Sequence, residues 1–185
     1  MQQRKALPHE IPGWVSQGSR HFITINALDR EKQPFMATAR SENVALPMAR
    51  GRAWVSDPSE ARSENVALPM ACSACPALPI ACALLDSLLF YDSLGTWYLW
   101  LAVIMPDHIH FVATFNLEKG IESTIIAWKR YQAKTLGVAF QRDYFEHRLR
   151  DDDEFCEKAE YIRNNPVRRG LVDVPGTWPY LWQRF

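Results

Sequence analysis

The sequence predicts one α+β domain of ferredoxin-like topology, a mostly antiparallel four-stranded sheet with helices on one face. Three observations lead there. β-Rich runs occur at residues 21–28, 97–105 and 108–115, the last two separated only by Pro106-Asp107. Stretches with helical apolar spacing lie between and after these runs. At 185 residues, 48% hydrophobic and 12% aromatic, the chain is long enough for one ordinary core and too apolar for wholesale disorder.

The elements follow in order. His21 to Leu28 is rich in β-formers and reads as the first strand, with Asp29-Arg30 beginning its exit. A perfect repeat comes next, Ala39 to Ala49 recurring unchanged as Ala61 to Ala71. Two identical copies without a periodic apolar pattern do not make a solenoid. Prolines 47, 58, 69, 76 and 79 would interrupt any long helix there. The chain therefore reads as a single domain, 1–185, interrupted by a poorly ordered insertion over 37–79.

Ala81 to Tyr91 reads as a short helix, and Trp97 to Met105 as a strand buried on both faces. Pro106-Asp107 is a turn signal that lets His108 to Phe115 return antiparallel. Glu122 to Leu136 has amphipathic spacing, Ile125, Ile126, Trp128 or Tyr131, and Leu136 on its apolar side, Lys129, Arg130 and Lys134 on its polar side, and Gly137 as C-cap. Residues 141–150, with Tyr144-Phe145, suit an edge strand. Asp151 to Glu154 supplies an N-cap and an acidic first turn. The helix they open is expected to run to about Asn164, because Asn165 precedes Pro166.

Composition narrows function. Lys and Arg number 21 and so do Asp and Glu, so nucleic-acid binding through bulk positive charge is excluded and any such binding must use local patches. The N-terminus lacks a secretory apolar core, and no apolar run reaches the roughly 18 residues of a membrane span, so a cytoplasmic, membrane-free protein is expected. Cys72 and Cys75 form a Cys-x-x-Cys with Cys82 nearby and Cys156 far off. No second close pair of ligands follows, so the cysteines read as small apolar residues kept reduced.

The chemistry concentrates in two segments. In an extended strand side chains repeat every second residue, so His108 and His110 share a face and two neutral imidazoles can grip a divalent metal. A His-x-His alone is equally compatible with histidines hydrogen-bonded at a sheet surface. Asn165 adds an amide oxygen, which would complete a three-ligand set with open positions. Tyr161 stands four residues before Asn165, on the same helical face. A free phenol near pKa 10 needs roughly 4 kcal/mol to ionise at neutral pH, much of which a nearby cation offsets. Tyr161 would then be a nucleophile toward a phosphodiester, with Tyr131 the runner-up. Lys129, Arg130 and Lys134 on one helix, and Arg163, Arg168 and Arg169 near the end of the other, are candidate phosphate contacts, with Trp178 or Trp182 candidates for base stacking.

These segments together, Met105 to Phe111 after an apolar strand, a basic amphipathic helix, Asp143 to Phe155, Ala159 to Val172 and Thr177 to Tyr180, resemble the REP-associated tyrosine transposases of the HUH single-tyrosine superfamily. The likeness runs through residues 19–36 and 80–182. The chain departs from the family in the insertion, where a short connection is usual. The resemblance implies that His108, His110 and Asn165 hold Mg²⁺ or Mn²⁺. It implies that Tyr161 cleaves single-stranded DNA at a hairpin-forming repeat, leaving a 5′-phosphotyrosine competent for strand transfer; the sequence leaves monomer and homodimer both open. The alternative is a hairpin-binding protein that has lost catalysis.

Overall fold

A computed structural model describes residues 18–37, 80–116 and 120–185. The repeat-bearing insertion lies outside the described residues from position 38 on, as do Cys72 and Cys75. Five strands, β1 (Arg20–Asn26), β2 (Trp97–Ile104), β3 (His108–Phe115), β4 (Phe145–Leu149) and β5 (Leu181–Gln183), form one sheet in the order β4-β1-β3-β2-β5. Every pairing is antiparallel. The helices are α1 (Ile80–Ser93), α2 (Ile121–Leu136) and α3 (Asp152–Arg168).

The α+β class and the antiparallel sheet are as expected, with four strands in the 4-1-3-2 order and one more than predicted. That fifth strand, β5, pairs with β2 through Leu101↔Gln183 and Val103↔Leu181, covering an edge that would otherwise be open. At three residues it is too short to show an alternating pattern.

Strand parity sorts the sheet into two faces. Ile109, Phe111, Ala113 and Phe115 of β3 point to one side, with Ile23 and Ile25 of β1, and are covered by Leu84 and Leu88 of α1 and by Ile125 and Trp128 of α2. Trp128 also donates its indole N–H to Ser87 Oγ at 3.0 Å, tying the two helices together. On the other side Phe22, Leu101, Val103 and Val112 meet Ala159 and Ile162 of α3. The prediction of helices on one face is thus corrected: α3 lies on the opposite face from α1 and α2. The reason is in the strands, since β2 and β3 are apolar on both sides and both sides need cover.

A register shift between Leu99 and Leu101 adjusts β2 to this arrangement. Before it, Trp97 and Leu99 face α1 and α2; after it, Ala102 and Ile104 do, while Trp100 and Leu101 fall together on the α3 side. The extra residue of a bulge produces that change of parity.

Helix α3 starts as the sequence predicts, with the Asp151 side chain accepting from the Glu154 N–H at 2.8 Å and three acids in the first turn. Its end differs from expectation. The helix continues through Pro166 to Arg168. Proline forfeits one bond to the carbonyl of residue i−4. So close to the terminus the bonding resumes at once, Arg169 N–H to Asn165 O and Leu171 N–H to Pro166 O, and the ring is buried.

Candidate active site

The α3 side of β3 carries His108, His110, Val112 and Thr114, and the first two lie beyond the apolar cluster. The backbone register sets Thr24 beside His110 and Asn26 beside His108. Both imidazoles are almost wholly buried, and their rings stand 4.6 Å apart. The His110 ring stacks on Phe22 at 5.3 Å, which fixes its plane.

Helix α3 brings the remaining groups. Tyr161, 38% exposed, holds its ring 5.5 Å from that of His110 and 6.2 Å from that of Phe22. Asn165 sits one turn later and is buried. His108, His110, Tyr161 and Asn165 line a single cavity of about 480 Å³. Thus the structure brings the four predicted residues together. Tyr131, by contrast, belongs to α2 on the far side of the sheet.

Hydrogen bonding anchors both imidazoles through Nδ1. Asp107 Oδ1 lies 2.7 Å from His108 Nδ1, and a carboxylate only accepts, so Nδ1 must carry the hydrogen and Nε2 keeps its lone pair. His110 Nδ1 lies 2.8 Å from the Thr24 hydroxyl, which can accept a hydrogen from it and so permits the same tautomer. Burial, and then the His108 neighbour, holds His110 down to about 3. Burial likewise lowers His108, against the pull of Asp107. Both rings are neutral near pH 7, the state that binds metal.

Asp107 is the hub of the electrostatics. It accepts from Arg30 Nε at 2.7 Å and from Arg169 Nη2 at 3.3 Å, besides orienting His108. Burial alone would raise this carboxyl, but the hydrogen bonds from His108 and Arg30 prevail and keep it below the usual carboxylate range. One side chain therefore joins the exit of β1, the β2–β3 turn and the end of α3. Arg30, Asp107 and Thr24 were not among the predicted site residues. Only Asp107 left a signal, an acid immediately before a His-x-His.

The basic residues divide sharply. Arg168 and Arg169 line the cavity, with the Arg168 guanidinium 5.5 Å from the Tyr161 ring centre. Arg163 of α3 donates to Gln183 Oε1 at 2.9 Å and lies over Phe185, at the β5 side. Arg130 and Lys134 are exposed on α2, which covers the opposite face of the sheet. Lys129 is corrected from phosphate contact to structural residue: only 8% exposed, it donates to the carbonyls of Gln141 at 2.6 Å and Arg142 at 2.8 Å. Its ammonium holds the loop before β4 in place of a phosphate. Trp178 donates to Ile104 O at 2.9 Å and Trp182 packs on the core, so both are tied to the sheet edge.

The donor set fits a divalent metal. Two neutral imidazoles present unengaged Nε2 atoms beside a carboxamide, within a cavity lined by arginines that suit an anionic substrate. Among the described residues no three His, Cys, Asp or Glu side chains are placed to hold an ion by themselves, so the amide of Asn165 would be the third ligand. Among the same residues no helix is long and apolar enough to cross a membrane.

No family model matches the chain. A provisionally named REP-associated tyrosine transposase of Haemophilus influenzae is 30% identical over 95 residues, covering 42% of this chain and 53% of its own. The REP-associated tyrosine transposase of Escherichia coli is 28% identical over 83 residues, covering 42% of this chain and 49% of its own. In fold, the chain is similar to a REP-associated tyrosine transposase solved with a REP hairpin bound, with TM-score 0.56 and 17% identity, over 89% of this chain and 76% of that one. The chain is thus similar, over part of its length, to the REP-associated tyrosine transposases that its motifs resemble, and it spans about half the length of the curated relatives it matches.

Proposed function

We propose that the protein cleaves and rejoins single-stranded DNA at a hairpin-forming repeat through a 5′-phosphotyrosine, with Mg²⁺ or Mn²⁺ held by His108, His110 and Asn165. The observation that carries this reading is the convergence of Tyr161 with those three side chains in one cavity. The ion would polarise the scissile phosphate and favour the phenolate. Tyr161 Oη attacks phosphorus, the new O–P bond replaces the bond to the 3′ oxygen, and that oxygen leaves as a 3′-hydroxyl after gaining a proton. The phenolic proton passes to solvent, which reaches the half-exposed ring. One phosphodiester is exchanged for another, so a second strand's 3′-hydroxyl can reverse the step.

Arg168 and Arg169 would meet the non-bridging phosphate oxygens, and Arg163 the strand as it leaves. Asp107 holds His108 in the tautomer this role needs, and Thr24 anchors His110 through Nδ1. Purified protein with labelled stem-loop DNA and Mn²⁺ should yield cleavage and a covalent protein–DNA adduct, both lost in Tyr161→Phe. Cleavage that persists in Tyr161→Phe would instead assign water as the nucleophile. Hairpin binding with no adduct and no metal dependence would leave a DNA-binding protein without catalysis.

A further inference from the structure

A second cavity, of about 400 Å³, opens on the other side of Tyr161. Thr24, His110 and Tyr161 line both cavities, so the two adjoin. The second differs in character. Its further lining is Phe22, Phe145, His147 and Lys158, aromatic surface with a cation at its rim.

Register explains the arrangement. Phe145 of β4 is paired with Thr24 of β1, and Thr24 with His110 of β3, so the three occupy one row across the sheet. Leu149, two pleats along on the same face, is buried under α3, whereas Phe145 is 55% exposed. Its ring meets Phe22 edge-on at 6.2 Å. Lys158 precedes Tyr161 by three residues and so shares its helix face. His147 is engaged with Glu154 at 2.5 Å and is a wall, not a free donor.

We infer that this cavity seats the base of a nucleotide adjoining the scissile phosphate, with Phe145 as stacking platform and Lys158 against that nucleotide's neighbouring phosphate. The inference rests on the phosphotyrosine reading of the first cavity. A phosphate among the histidines places the next nucleotide one residue of strand away, and the shared wall directs its base onto the aromatic floor. Outward aromatic surface beside a cation suits a stacked base, since every base has a π-face and stacking on aromatics is sequence-tolerant. The lining has no Asn, Gln, Asp or Glu side chain to read a base edge, so little base preference is expected at this position.

The test is an abasic scan on the full chain. The scissile phosphate is mapped from the adduct, and single abasic nucleotides are placed on either side of it in the stem-loop DNA. At one of these positions the abasic site should slow adduct formation about tenfold, and Phe145→Ala should slow intact DNA by a similar factor. The two together should be no slower than either alone, and Phe145→Trp should retain the rate. Affinity for the same scanned DNA, measured without metal, gives a second readout. There, a position whose effect disappears in Phe145→Ala supports the cavity even in a protein that forms no adduct, which would count against the phosphotyrosine reading alone. The inference is overturned if no abasic position is felt, or if the two effects multiply. It is equally overturned if Phe145→Ala abolishes self-association and leaves DNA binding untouched, since the aromatic edge then serves a second copy of the chain.

Discussion

The two faces of the central strand β3 are equally buried and entirely different in purpose. Ile109, Phe111, Ala113 and Phe115 interlock with Trp97 and Trp128 under α1 and α2, a core of large apolar side chains. Their neighbours His108 and His110 are as inaccessible but are surrounded by Asp107, Thr24, Arg30 and Arg169. One face is a scaffold, and the other spends part of its burial on polar groups that need partners. Rigidity on the first side is what allows the second to hold two rings in fixed planes.

Substituting along β3 tests this division most severely. Phe111→Ala, on the scaffold face, should cost about 3–5 kcal/mol of stability through lost burial and a residual cavity. His110→Gln, one residue away, should cost about 1 kcal/mol, one hydrogen bond's worth, while removing Mn²⁺ binding and adduct formation. Urea unfolding paired with metal titration reads both. Equal destabilisation by the two would show that the faces are one cooperative core and not scaffold and site.

A smaller effect probes how the site is held. Asp107→Asn keeps the shape but loses the charge that faces two guanidiniums and fixes the His108 tautomer. Metal affinity should fall about 10–100-fold, the usual result of removing a carboxylate behind a ligating histidine. Calorimetric titration with Mn²⁺ measures it, and an unchanged affinity would remove Asp107 from the site.

How much of this was legible in the sequence follows the range of the interactions. The alternation in β3, the turn at Pro106-Asp107, the Asp151 cap and the Tyr161–Asn165 spacing are all local and were read correctly. Arg30 and Arg169 reach Asp107 across 77 and 62 residues, which no local pattern encodes. Lys129 looked like a surface cation because helical spacing gives its direction but not the loop that folds over it. Likewise Pro166 forbids a helix only as a tendency, and the burial of Asn165 and Pro166 outweighs the lost bond. The face that α3 covers was hidden because β2 and β3 are apolar on both sides, and a run of apolar letters does not say which helix covers which side.

Acid should act on the polar face through its buried histidines. The folded protein protonates His110 only at about 3, while an unfolded histidine does so near 6.5. Between these values the unfolded chain binds the additional proton, so stability falls as pH drops below about 6.5, by at most about 1.4 kcal/mol per pH unit from this residue. Above that pH the group contributes no slope. His108 is lowered by burial too and acts in the same direction. Urea midpoints of the metal-free protein at about pH 7.5 and about pH 5 should therefore differ, and His110→Gln should shrink the difference. An identical pH response in that variant would locate the acid sensitivity elsewhere.

The finest test concerns charge on the two sides. Neutralising one phosphate contact lowers the slope of log K against log salt by about one unit. Arg168 lines the active-site cavity, so Arg168→Ala should flatten the slope for stem-loop DNA by about that amount. Arg130 and Lys134 are equally charged and more regularly spaced, yet they project from a helix on the scaffold side. Replacing both with alanine should leave the slope unchanged. Were the double variant to flatten it as well, the DNA would have to wrap around the sheet edge to reach α2, and the separation of a structural face from a working face would fail for the substrate even if it held for the chemistry.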